Sequence, residues 1–385
     1  MPGPIGPGHA ASAPGGGVPR AGQIRGGQGE AAGAARSSSR ARAGAGALPW
    51  LLPVRPLQVA LWEVLAIGVL LVYTQPGVAQ PVRIGVAAVA GALLLATSIR
   101  FAGRHFGAWA WTWLGYRLRR HDSRRDGPDP LHRVAGTVLV RQHVDRAGNR
   151  FGVAEVDGDW CAIVRLTPGA AEPSIEALVA ILRTAFHGTD IPLAAVQLLT
   201  WTVPRGPHVY RVRWLAVRYR PQDAPIAALA RGGGQLGALR STASAALSLM
   251  VALAEAGYPS TVLEAAELTT ELRVALGVQA AQQPQDGDGD GWKSWSWGGV
   301  TQACYAPRSA RDLTRTLGLA VPGAAFTATS ATLRRTPGGR ERTDVTIRVG
   351  ARPGEEVPAP QGVSAVPLHG AHGAAVRRTL PLALT

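Results

Sequence analysis

Two apolar runs near the start constrain this chain more than any other feature. The first, LQVALWEVLAIGVLLVYT, runs from Leu57 to Thr74 and carries one charge, Glu63, in 18 residues. The second, VRIGVAAVAGALLLATSI, runs from Val82 to Ile99 with Arg83 as its one charge. A helix of that length rises about 27 Å, close to the hydrocarbon thickness of a bilayer. Separated only by QPGVAQP, the runs predict a membrane-spanning helical pair at about 57–74 and 82–99. Gly85, Ala87, Ala88, Ala90, Gly91 and Ala92 suit the second helix to close packing against another. The competing reading, two buried helices of a soluble protein, explains the nearly uncharged connection less well.

Arginine placement gives the expected orientation. Arg20, Arg25, Arg36, Arg40, Arg42 and Arg55 precede the first run, and Arg100, Arg104, Arg117, Arg119, Arg120, Arg124 and Arg125 follow the second. The positive-inside rule then puts both ends of the chain in the cytoplasm and the short loop outside. Trp109, Trp111, Trp113 and Tyr116 come just after the second run. The spacing of the tryptophans fits one helical face poorly, so an aromatic belt at the membrane–water interface is expected. Glu63 lies about a third of the way into the first span. A carboxylate there is costly, so it should face protein, water or the headgroup boundary. With no second acid in the spans, ion conduction is not indicated.

The net charge of +15 could signal nucleic acid, but its position argues otherwise. Residues 1–125 hold 14 Arg against Glu30, Glu63 and Asp122, whereas residues 126–385 hold 26 basic and 22 acidic residues. A basic nucleic-acid face on the larger part is therefore not supported. Residues 1–47 are mostly Gly, Ala, Pro, Ser and Arg, with too few apolar side chains to offset ordering entropy, so a disordered tail is expected. The first apolar run begins too far in for a secretory signal peptide. These features divide the chain into a tail (1–47), a membrane part with a basic, Trp-rich flank (48–125), and a cytoplasmic domain (126–385).

The third part carries mixed strand and helix signals. GTVLV (136–140) reads as a strand, and RFGVAEVDGDWCAIVRLTP as two strands turning at Asp157-Gly158, a dipeptide suited to a type I′ turn. EPSIEALVAILRTAFHG reads as a helix stopped by Gly188. PLAAVQLLTWTVP and VYRVRWLAVRYRP read as strands, the second with Arg211 and Arg213 on one side and Val212 and Trp214 on the other. A helix is expected at about 236–256, a short strand at STVLE, and a helix at AAELTTELRVALG ending at Gly277. VQAAQQPQDGDGDG reads as a loop, WKSWSWGGVTQACYAP as a strand, and SARDLTRTLGL as a short helix opened by a Ser cap. FTATSATLRRT and ERTDVTIRVGA read as a hairpin around PGGR. The expected class is mixed α/β (α+β) without strict βαβ order, behind two transmembrane helices.

No motif supports catalysis. RGGGQLGALR places Gly232, Gly234 and Gly237 in a G-x-G-x-x-G pattern, but PQDAPIAALA separates it from the preceding strand. Glu255 has the spacing of a ribose-binding acid yet falls inside a helix, and Ala238-Leu239 replace the Lys-Ser/Thr of a Walker loop. A structural turn between helices is expected. DGDGDG (286–291) begins like a calcium loop, but its twelfth position is Trp297 rather than Glu. Cys161 and Cys304 are expected as buried, reduced thiols. The nine His are scattered, with His369 and His372 in a Gly-rich C-terminal stretch, and Asp157 and Asp159 flank a turn where acids are ordinary. No catalytic, cofactor-binding or metal residue is therefore predicted.

The chain resembles the EccE component of actinobacterial type VII (ESX-type) secretion systems, from about Leu51 to near its C-terminus. The helical pair, GVAEVDGDWCAIVRL, RWLAVRYRPQDAPIAALARGGGQLGALR, AGYPSTVLEAAEL, SWSWGGVTQACYAP and ATLRRTPGGRERTDVTIRVGA carry the likeness. The resemblance implies a non-catalytic, multi-pass subunit of the cell membrane with both termini cytoplasmic. Implied partners are the bilayer and other Ecc membrane subunits, including an FtsK/SpoIIIE-type ATPase that supplies the energy. The implied task is stabilising or scaffolding a translocon for WXG100-type proteins, with no cofactor, nucleic acid or small-molecule substrate. The alternative is a membrane-anchored enzyme binding a nucleotide or nucleotide-sugar at the 232–237 glycine turn.

Overall fold

The computed structural model describes residues 56–384 except 99, 102–103, 121–128, 170–171, 189, 207, 279–283, 286, 310–311 and 337–338. The chain divides into two units, residues 1–60 and residues 61–385. The tail expected at 1–47 lies outside the described residues.

The apolar runs form α1 (Pro56–Thr74) and α2 (Gln80–Ser98). A short hairpin of β1 (Arg100–Phe101) and β2 (Arg104–His105) leads into α3 (Phe106–Arg120), and α4 (Pro130–Ala135) opens the sheet domain. Next come β3 (Val138–Val144), β4 (Arg150–Val156), β5 (Asp159–Leu166), α5 (Ile175–His187), β6 (Ala195–Arg205) and β7 (His208–Tyr219). Then follow α6 (Pro225–Leu229), α7 (Gly234–Glu255), β8 (Ser260–Val262) and α8 (Ala265–Leu276). The rest is β9 (Gly289–Asp290), β10 (Trp295–Trp297), β11 (Val300–Pro307), α9 (Leu313–Leu317), β12 (Phe326–Arg335), β13 (Glu341–Gly350), β14 (Ala365–Pro367) and α10 (His372–Arg378).

The mixed class is as expected, and one large antiparallel sheet dominates it. Its 12 strands include the path β3-β4-β5-β7-β6-β12-β13-β11-β10-β9, with β8 added to β5 and β14 to β11. That order reads the same from either end. Each half has two strands leading into a third, a helix, and a hairpin folded back beside the third strand. The halves meet at the antiparallel β6–β12 pair, where Leu199 faces Ser330 near the middle. After β8 comes α8, and after β14 comes α10, so the closing steps also correspond. The two halves of the domain thus repeat one strand order and one chain path. Only the first half inserts α6 and α7 between its hairpin and its added strand.

Alternation along the strands makes two cores. Trp160, Ala162 and Val164 of β5 face α5 and α7 with Val196, Leu198, Leu215 and Val217. Cys161 and Ile163 face α8 and α10 with Trp214, Ala216 and Leu199. The chain's end also belongs to this second core, since Leu380, Leu382, Ala383 and Leu384 are buried there. Turn chemistry fixes the β4–β5 hairpin: Asp157 (φ 53°) and Gly158 (φ 81°) both take the positive φ that a type I′ turn needs.

One local reading needs correction. WKSWSWGGVTQACYAP is a hairpin rather than one strand, because Gly298 and Gly299 take φ 55° and 79° and turn the chain. Asp312 caps α9, its carboxylate accepting from the Arg315 N–H at 3.3 Å, and residues 310–311, beside the expected serine cap, lie outside the described residues. The Gly-rich C-terminal stretch forms β14 and α10.

Arg348, on β13, is fully buried beneath α8 and α10. Its guanidinium donates to the Leu276 carbonyl (3.0 Å), the Ala275 carbonyl, the Thr379 carbonyl (3.4 Å) and Gln302 Oε1 (2.8 Å). It also sits 5.3 Å from the centre of the Phe326 ring. No carboxylate pairs with it among the described residues. The carbonyl ends of two helices, each the negative pole of its dipole, supply the compensation. Burial lowers its pKa to about 10, so it stays charged at neutral pH. Arg348→Met should leave the buried Ala275 and Thr379 carbonyls without this donor, while the Leu276 carbonyl keeps Gln302 Nε2 (2.9 Å), and cost about 3 kcal/mol, with Arg348→Lys falling between. Urea unfolding of the full chain in detergent, followed by tryptophan fluorescence, measures both.

Candidate membrane and assembly surfaces

α2 is long and apolar enough to cross a membrane, and 6% of its apolar window is buried. α1 spans 19 residues and runs beside it. Their contact includes one polar tie, Trp62 Nε1 donating to Thr97 Oγ1 at 3.0 Å. Val64, Ile67, Leu70, Ile84, Val89 and Leu95 are exposed. Glu63 is also exposed, on the side of α1 away from α2. α7 passes the same length and composition test, yet more than half of it is buried in the sheet domain, so it is a core helix.

The aromatic cluster after α2 divides its members between two sides of α3. Trp109 and Tyr116, seven residues apart, share one side. Their rings meet Trp292 edge-on at 5.6 and 5.5 Å. Trp292 also stacks on His369 at 6.3 Å. Its ring lies against Gly370, where any Cβ would overlap it. Arg119 adds a hydrogen bond to the Gly370 carbonyl. Trp111 (77% exposed), Leu114 (43%) and Leu118 (67%) lie on the opposite side. The expectation that all four aromatics sit at a membrane interface is therefore corrected for Trp109 and Tyr116, which hold α3 to the domain. The signal in the sequence was the seven-residue spacing of Trp109 and Tyr116, which the tryptophan spacing obscured.

The glycine run is a turn between helices, as its sequence context implied. Gly232, Gly233 and Gly234 take φ 111°, 70° and 54°. The Gly233 N–H donates to the Ala228 carbonyl at 2.9 Å, and the Gly237 N–H to the Gly233 carbonyl at 2.8 Å. Arg240 donates to the Arg231 carbonyl (3.1 Å), Ser241 to the Ala227 carbonyl (3.1 Å), and Arg231 pairs with Asp190 (2.8 Å). A Cβ at Gly237 would overlap the Ala228 carbonyl, so its bare backbone lets α7 pack on α6. Glu255 is exposed at the far end of α7. Around the turn, Ile226 (79%), Leu229 (68%) and Leu236 (49%) are exposed apolar side chains. Beside it lies a cavity of about 450 Å³ whose wall includes His143, Arg146, Arg231 and Arg240.

The remaining candidates have structural partners. Asp286 lies outside the described residues. Asp288 accepts from the backbone of Gln285 (2.8 Å) and Gly298 (2.7 Å), and Asp290 from that of Gly373 (2.9 Å). Trp297, at the would-be twelfth calcium position, is buried with Arg133 over its ring at 4.9 Å. Among the described residues, no group of three His, Cys, Asp or Glu is placed to hold a metal. Asp157 pairs with Arg377, and buried Asp159 pairs with Arg218 (2.6 Å) and Arg220 (3.0 Å). Both cysteines are free and buried, and burial pushes each thiol up to about 12, which makes them poor nucleophiles. His372 is fully buried, and its Nδ1 accepts from the Cys304 N–H at 3.0 Å.

Residues 208–307, from the first residue of β7 to the last of β11, match the family described as "Putative type VII ESX secretion system translocon, EccE". This is the family the sequence resembles. GVAEVDGDWCAIVRL and ATLRRTPGGRERTDVTIRVGA lie outside the matched segment. The EccE family implies a type VII secretion translocon component, and the apolar helices agree with a place in a membrane. No curated protein matches the chain.

Two predictions follow from these contacts. Gly234→Ala adds a side chain in open space at positive φ, whereas Gly237→Ala drives one into backbone. The first should cost about 1 kcal/mol and the second about 2 kcal/mol or more, read as shifts in the urea midpoint. Burial, then the neighbouring His369, lowers the pKa of His372 from 6.5 to about 4. As pH falls through 6.5 the unfolded chain gains a proton that the folded one refuses. Stability is thus full above 6.5 and drains away towards pH 4. Between pH 7 and 5 this group should remove about 2 kcal/mol, and His372→Asn should remove that dependence in paired urea titrations.

Proposed function

We propose that this chain, matched to the EccE family over residues 208–307, is a non-catalytic membrane subunit of the type VII protein secretion complex. In this reading it stabilises or scaffolds the translocon that exports small helical WXG100-type proteins. Energy for export comes from an FtsK/SpoIIIE-type ATPase subunit of the same complex. The working division is the tail 1–47, the membrane part 48–125 and the cytoplasmic domain 126–385. α1 and α2 cross the cell membrane with both chain ends inside, following the arginine asymmetry. α3 lies along the inner surface, with Trp111, Leu114 and Leu118 turned into the headgroup boundary and its other side on the domain.

The observation that carries the reading is what the matched segment builds. It forms a central strand, the glycine turn with α6 and α7, and the β10–β11 hairpin, joined in one chain to an exposed apolar helical pair. In that segment the glycine run is filled by its own backbone. One observation favours the alternative of a nucleotide- or nucleotide-sugar-binding enzyme, namely the arginine-walled cavity beside the turn.

Deleting the chain should abolish export of the small helical substrates, and the solubilised protein should co-purify with the ATPase. A lone monomer with export intact would sink the proposal. A panel of nucleotides and nucleotide-sugars should leave the thermal midpoint of the purified chain unchanged. A saturable rise that Gly234→Ala removes would instead support the enzyme.

A further inference from the structure

Glu63 is seven residues into α1, about 10 Å along the helix from Pro56. At 3.6 residues per turn it shares a face with Ile67 (56% exposed) and Leu70 (63%). Trp62, Leu65, Val69 and Val72 occupy the other side and are half-buried. The Trp62–Thr97 hydrogen bond ties that side to α2. Glu63 therefore points away from the other helix of its own pair. Among the described residues it has no hydrogen-bond or ion-pair partner. Its neighbours on the exposed face are all apolar, so none of them can supply a donor.

Such a face is inconsistent within a lipid-facing span. Apolar side chains favour hydrocarbon, while a bare carboxylate among them is expensive. A glutamate side chain is also short, without the four-carbon reach that lets lysine snorkel to the interface. The conflict disappears if a protein donor meets the carboxylate. A second copy of this chain would bring another carboxylate to the same contact, a like-charge pair, so charge complementarity selects a different chain.

We propose that the Glu63–Ile67–Leu70 face of α1 docks a transmembrane helix of another subunit, which presents a basic or hydrogen-bond-donating side chain to Glu63. The inference rests on the reading of α1 as a membrane span in a secretion complex. It adds the surface by which this chain is held there and the chemistry of the partner residue. The side of α1 bearing Trp62 stays with α2, so the two faces of one helix have different occupants.

The test uses the full-length chain in its native membranes. Glu63→Leu removes the intramembrane charge and so inserts at least as well as the wild type, which carbonate extraction checks. Loss of assembly in that variant then reports docking rather than insertion. The share of chain co-migrating with the secretion complex on native gels should fall about tenfold with Glu63→Arg and Glu63→Leu. Glu63→Gln, which still accepts a hydrogen bond, should retain most of it. A photo-crosslinking residue at position 70 should attach to a transmembrane helix of another subunit, and one at position 69 should not. If Glu63→Arg and Glu63→Leu assemble like the wild type, or position 70 crosslinks only to lipid or to a second copy, the docking proposal is wrong while the functional reading survives. If the wild-type chain enters no large complex, both fall together.

Discussion

The contact on which the sheet domain depends is a charge without a countercharge. Arg348 lies under the sheet where α8 ends and α10 ends, and carbonyls of both helices take its hydrogen bonds. Phe326 supplies the floor. Its ring is held between Gly277 and Gly350, at neither of which a Cβ would fit, and Trp201 stacks on it at 5.7 Å. Gly277 also ends α8 in the left-handed conformation (φ 78°). One set of residues thus ends a helix, leaves room for an aromatic ring and orients a guanidinium. Replacing the cation with a neutral group would take the guanidinium donor from the helix-end carbonyls of Ala275 and Thr379.

That anchor joins the two halves of the repeated unit. α8 belongs to the first half and α10 to the second, and Arg348 bonds to the end of each. Gln197 makes a second tie across the join, donating to Ser330 Oγ (2.7 Å) and the Arg378 carbonyl (2.7 Å) and accepting from the Ala383 N–H (2.7 Å). The chain's last buried leucines lie in the same layer. The halves have diverged on the other side of the sheet. The first is roofed by α5 and α7, whereas the second has short α9 and a smaller cluster around Leu319, Val321, Ile347 and Val349.

Much of this was legible in the sequence where one residue type has one geometric meaning. Asp157-Gly158 marked a type I′ turn and Gly277 marked a helix end, whereas apolar length picks out α2 and the core helix α7 alike. The glycine run was readable as a turn because it lacked a preceding strand. Legibility failed where a residue's meaning depends on a distant partner. Gly298-Gly299 was masked by flanking tryptophans that look like one strand. Trp292 reads as a strand residue until α3 meets it. Arg348 is one arginine among 39, and only the ends of α8 and α10 show its role. The repeat was hidden because corresponding turns differ in sequence, Asp-Gly in one half and Gly-Gly in the other.

The two halves also divide the chain's outward contacts. Trp292, just before β10, receives α3 and so connects the apolar pair to the second half through Trp109 and Tyr116. The first half carries α6, α7 and the exposed Ile226, Leu229 and Leu236 around the glycine turn. Each arrangement relies on glycine in a different way. At Gly370 the missing side chain admits the Trp292 ring, and at Gly237 it admits the backbone of α6. The same residue type therefore seats an aromatic ring in one half and a neighbouring helix backbone in the other.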